Sequence, residues 1–174
     1  MISTKGRVLA VIAALTLAAP AAAQESTNQV AVQSDWSVFT EETPKECWGV
    51  TAPKSTRATR DGTEVSVRRG DVQLFVTFRP GSGAAGEISY TGGYPFAEGS
   101  TVQVAIDGTN YEMFTQGEWA WPASPEADAQ LLAAMKGGAQ AVITARSGRG
   151  TQTEDTFSLR GFTAAMTEAE TRCK

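Results

Sequence analysis

The chain has 174 residues, 41% hydrophobic and 20% charged, which is enough for one domain with its own core and too apolar for a disordered chain. Fifteen Lys and Arg stand against 19 Asp and Glu for a net charge of −4, a balance that argues against nucleic acid as the main partner. Histidine is absent, so Ser-His-Asp and Cys-His catalysis and imidazole metal sites are excluded.

Residues 1–23 read as a signal peptide. Lys5 and Arg7 form a basic start, Val8 to Ala19 is an uncharged apolar run, and Pro20 ends it. Ala21-Ala22-Ala23 then offers the small residues that a signal peptidase reads, with cleavage expected after Ala23. The apolar run is short for a bilayer span, and no later stretch is long and apolar enough to make one. No cysteine follows the cut, which disfavours a lipid anchor. Cleavage removes two of the 15 cations and no anion, leaving 13 against 19, or −6. The expected location is the periplasm or outside the cell. Two cysteines in an exported chain should pair, so Cys47 and Cys173, 126 residues apart, are expected to form a disulfide.

Residues 24–34 are polar and read as a flexible leader, and residues 35–174 as a single β-rich domain. Strands are expected at Asp35 to Thr40, where Trp36, Val38 and Thr40 share a face, and at Glu46 to Thr51 between two prolines. Trp48, beside Cys47, is expected in the core. Thr63 to Arg69 and Val72 to Arg79 read as a hairpin turning at Gly70-Asp71, the second strand presenting Leu74, Val76 and Phe78 on one side. Pro80 to Gly86 is a loop. Its Gly81, Gly83 and Gly86 match a dinucleotide-binding spacing, but a strand-like Glu87 to Thr91 follows where that motif needs a helix. Gly92-Gly93-Tyr94-Pro95-Phe96 is a fixed turn carrying ring surface. Val102 to Ile106 and Asn110 to Gln116 form a hairpin on Asp107-Gly108, and Trp119 and Trp121 share a face if that segment is extended.

Ser124 is a good N-cap and Pro125 suits a first turn, so a helix is expected over about 125–136, stopped by Gly137-Gly138. Gln140 to Arg146 and Thr151 to Leu159 form a closing hairpin across Ser147-Gly148-Arg149-Gly150. A second helix is expected over about 161–172, because Phe162, Ala165, Met166, Ala169 and Cys173 fall on one helical stripe. These elements predict a mainly β fold, a single β-sandwich or partly open barrel with two short helices at its side or end.

No nucleophile motif or calcium loop is evident, and no catalytic residue, cofactor or metal ligand is assigned. Arg146 and Arg149 flank glycines whose NH groups can face an anion, and with Thr151 they form a candidate anion-binding turn. Tyr94, Phe96, Trp119 and Trp121 sit in or beside loops and are the candidate partner-binding aromatics. Trp36, Cys47-Trp48, Leu74-Phe75-Val76 with Pro80, Gly93-Tyr94-Pro95-Phe96, Ala134-Met135-Lys136-Gly137, the run from Gly150 to Ala165, and Cys173 stand in an order that resembles the invasion-associated locus B family over about residues 35–173. The resemblance implies an exported protein of Gram-negative, α-proteobacterial type, periplasmic or associated with the outer membrane. Founding members are linked to invasion of red blood cells, and the family has no catalytic residue set to carry over.

The expected function is a non-catalytic envelope binding module for an unknown protein or envelope component, with no nucleic acid, no membrane span and peripheral outer-membrane association as a candidate attachment. One alternative is a His-independent hydrolase using Asp and Glu carboxylates, such as Asp155 with Glu154 or Glu118. The other is a structural envelope protein without a small ligand.

Overall fold

The computed structural model describes residues 28–174, so the signal peptide read in residues 1–23 lies outside the described residues. Twelve strands form one antiparallel sheet: β1 Gln29–Gln33, β2 Trp36–Glu42, β3 Lys45–Thr51, β4 Ser55–Arg60, β5 Thr63–Glu64, β6 Gln73–Arg79, β7 Ala84–Thr91, β8 Thr101–Ile106, β9 Thr109–Gln116, β10 Trp119–Trp121, β11 Gln140–Arg146 and β12 Gln152–Ser158. Among the described residues two α-helices, α1 Pro125–Gly137 and α2 Phe162–Arg172, and a short 3-10 turn at Pro80–Ser82 complete the fold. The strand order is β1-β2-β3-β6-β7-β10-β9-β8-β11-β12-β4-β5, with no pairing between the two outermost strands.

The open sheet curls until its two halves face one another. Tyr90 of β7 meets Phe157 of β12 edge to face at 6.1 Å, and Trp36 Nε1 of β2 donates to the Ser158 carbonyl at 3.0 Å. Period-two alternation sends one side chain in two to the concave face. That face buries Trp36, Val38, Leu74, Val76, Ile88, Tyr90, Val102, Val104, Met113, Ile143 and Phe157 in one continuous core.

The helices close one end of the curl. Ser124 Oγ accepts from the Ala127 N–H and caps α1, and Asp128 accepts the Ile88 N–H at 2.8 Å, docking the helix on β7. Burial pushes the Asp128 carboxyl up to about 6. In α2 the expected stripe of Phe162, Ala165, Met166 and Ala169 is buried. Phe162 packs on Trp36 at 4.9 Å, and the stripe ends at Cys173, which is joined to Cys47 with a Cα–Cα distance of 5.7 Å.

Three expectations are corrected. The reading of 24–34 as leader fails where β1 forms: Gln29–Gln33 pairs with β2, and Gly161 at φ +86° holds the start of α2 so close to Gln33 that a Cβ would lie 2.0 Å from its carbonyl oxygen. Trp48 is not in the core. Cys47 points inward, so alternation turns Trp48 out to stack on Phe39. Of Thr63 to Arg69 only Thr63–Glu64 is strand, paired with a β4 that the sequence did not suggest, while β6 pairs with β3 and β7. Residues 65–72 instead cross as a loop from one half of the sheet to the other. Burial explains the error: Val65 is half-buried and Val67 exposed, so their alternation marks no buried face.

Candidate functional site

The end of the curl opposite the helices is closed by loop 65–72 and the turn at Gly92 to Phe96. Gly70 donates its N–H to the Gly93 carbonyl at 2.9 Å. Gly93 has φ +70°, and a Cβ there would lie 2.5 Å from the Gly70 carbonyl oxygen, so only glycine permits the crossing. Gly93→Ala is expected to cost at least about 1–2 kcal/mol from the left-handed backbone alone. Thermal unfolding followed by circular dichroism should show a lower midpoint, and an unchanged midpoint would refute the constraint.

This crossing delivers Arg69 into the fold. Its guanidinium donates to both oxygens of Asp155, which is wholly buried on β12, at 2.9 and 2.5 Å. Tyr90 Oη donates to Asp155 Oδ2 at 2.6 Å. Hydrogen bonding to Asp155 raises the Arg69 pKa, and burial, followed by the Asp155 charge, pushes the Tyr90 hydroxyl well above its ordinary value. Arg69 also lies 5.8 Å from the centre of the Tyr94 ring, whose hydroxyl is hydrogen-bonded to Thr153 Oγ1.

Above this buried pair lies a cleft of about 720 Å³. Its walls bring together Arg60, Arg68, Arg69 and Arg149 with Tyr94 and Thr151, and among the described residues Glu118 is the one acidic wall residue. Arg60 donates to Thr151 Oγ1 at 2.7 Å, across 91 positions of sequence. Of the candidate anion-binding turn, Arg149 and Thr151 line the cleft, whereas Arg146 is exposed on β11 and takes no part in its walls. The arginines of residues 60–69 were not assigned from sequence. Their signal was the density of cations in Arg57, Arg60, Arg68 and Arg69, and it went unread because that stretch looked like an ordinary hairpin.

The convex face carries a second feature. Phe39 stacks on Trp48 at 5.6 Å; Phe75 meets Trp119 at 5.7 Å; Trp119 and Trp121 lie 6.4 Å apart; and Phe114 stacks on Trp121 at 5.6 Å. These rings cross β2, β3, β6, β10 and β9. On the intervening β7 the small Ser89 leaves a groove of about 430 Å³. Beside it Arg79 bridges Glu46 at 2.7 Å and Glu87 at 2.8 Å.

The four candidate aromatics therefore divide. Trp119 is 38% exposed and Trp121 half-buried, and both line the groove. Phe96 is buried against Tyr90 and Tyr94, so it is core rather than contact surface. Tyr94 is half-buried as a wall of the cleft. The carboxylates raised in the hydrolase alternative do not face each other as a pair on β12: Asp155 points inward to Arg69 and Tyr90, and alternation leaves Glu154 exposed. No group of acidic or cysteine side chains suited to a metal occurs among the described residues. No described helix is long and apolar enough to cross a membrane.

Fold and surface together define a disulfide-tied domain of one curled antiparallel sheet, with helices at one end and a basic cleft at the other. The family model for the invasion associated locus B (IalB) protein matches residues 36–170. The chain belongs to that family. Among solved structures it is similar to the crystal structure of invasion associated protein B from Bartonella henselae, with 15% identity and a TM-score of 0.55 over 80% of this chain and 94% of that one. At that identity the likeness shows the fold. No curated protein sequence matches the chain.

Proposed function

We propose that the chain is an exported, non-catalytic binding module of the cell envelope, periplasmic or attached peripherally to the outer membrane, that holds a protein partner against the convex face of its sheet. The observation carrying this reading is the band of six rings around the groove, with Phe114 45% and Trp119 38% exposed. Trp supplies large rigid contact area, and binding energy in protein interfaces concentrates on such anchors within a polar rim. Here Glu46, Arg79 and Glu87 supply that rim. Export is supported by the N-terminal pattern of residues 1–23 and by the Cys47–Cys173 bridge, which suits an oxidising compartment.

The test is affinity capture of the mature, oxidised protein from envelope extract, run beside Trp119→Ser/Trp121→Ser. Loss of two such anchors should weaken a specific partner by about 2–4 kcal/mol, or at least 10-fold. A partner retained equally by both proteins would place the contact elsewhere. Recovery of none by the wild type would favour a purely structural role.

A further inference from the structure

The basic cleft is not used by that reading. It is a concentration of cations on an acidic chain, which ordinary surface composition does not explain. Among the described residues, Arg68 and Arg149 enter none of the ion pairs, and Arg60 is tied only to the neutral Thr151 hydroxyl. Arg69 is neutralised by Asp155. The wall therefore carries the three charges of Arg60, Arg68 and Arg149 against Glu118, an excess of two.

We propose that this cleft binds a phosphomonoester. Such a group carries about −1.5 to −2 charges at neutral pH, which matches the excess, and its oxygens accept the paired N–H donors of guanidinium groups. The volume of about 720 Å³ falls in the range of small-molecule sites, so it holds more than a lone phosphate. Tyr94 and Pro95 offer an apolar wall to the body of the ligand, and Ser66 adds a hydroxyl. The site is also organised before binding: Arg69 and Tyr94 are fixed by Asp155 and Thr153, and Arg60 by Thr151. Ordering already present in the free protein is not charged to the ligand.

The phosphate can be borne by a soluble sugar or by a lipid, and two probes separate these sources. Titration of the mature, oxidised protein with glucose 6-phosphate, followed by calorimetry, tests the first. Co-sedimentation with phosphatidylcholine vesicles carrying phosphatidic acid tests the second, with glucose and plain phosphatidylcholine as blanks. Saturable binding is expected in at least one arm, weakened 10-fold or more by Arg68→Gln and by Arg149→Gln, and reduced by added salt. Both residues are exposed, so an unchanged melting temperature should accompany the loss. Arg172→Gln, on α2 at the far end, should bind as the wild type does. Binding in one arm alone identifies the source, and binding in both marks the phosphate itself as the recognised group. Failure in both arms, or equal binding by the two cleft variants, overturns the proposal.

Discussion

Asp155→Ala is expected to lower the free energy of unfolding by about 3–5 kcal/mol. The wild-type carboxylate is wholly buried and accepts three hydrogen bonds, two from Arg69 and one from Tyr90. Its removal leaves a guanidinium whose side chain is 10% exposed without its anion, and a buried phenol without an acceptor. The penalty comes from those stranded groups more than from any large net attraction in the intact pair, because desolvation offsets most of the Coulomb gain. That distinction is measurable. Replacing both partners, as Asp155→Leu with Arg69→Met, should recover much of the loss, since no charge is then left behind. Urea unfolding of the wild type, Asp155→Leu, Arg69→Met and the double variant closes the cycle. A single-variant loss below about 1 kcal/mol would show that the pair is solvated in practice. A double variant as unstable as the sum of the singles would show that the network is needed for itself.

Replacing Cys47 and Cys173 with serine should cost up to about 4–5 kcal/mol, the chain-entropy value for closing a loop of this length. The bridge spans 126 positions and joins the end of α2 to β3, near the middle of one half of the sheet. It is also buried, with Cys47 wholly enclosed and Cys173 5% exposed, so the fold must open locally before a reductant can reach the sulfurs. For a domain of this size a loss of 4 kcal/mol corresponds to a fall in melting temperature of roughly 10 °C or more. Calorimetry of the double serine variant and of wild type under reductant should agree. Equal melting of the variant and the oxidised wild type would show that the bridge does not contribute to stability.

These two predictions concern features that were legible to different degrees. The disulfide could be read directly, because two cysteines and an export pattern leave one pairing. The α2 stripe was readable too: a 3.6-residue period needs no knowledge of what it packs against, only that something covers it. The Asp155 network was not readable. Its members come from a loop, β7 and β12, and its only local trace was an aspartate at an inward position of an alternating strand. Trp48 shows the same limit from the other side. Its hydrophobicity points to the core, but its neighbour Cys47 had already claimed the inward phase. The Thr63 to Arg69 stretch failed because alternation survives in a loop when residues happen to alternate, and only pairing partners distinguish the two.

By itself, the sequence determined a mainly β, disulfide-tied domain of the IalB family with two helices near 125–136 and 161–172, because composition, period and turn chemistry act within a few residues. Only the tertiary structure decided which strands became neighbours, which of the candidate aromatics stayed outside, and that Arg60, Arg68 and Arg149 share one cleft. The physical reason is range. A residue's propensity to be strand or helix is written locally, whereas the convergence of side chains depends on how the sheet curls. That curl is set by packing summed over the whole core.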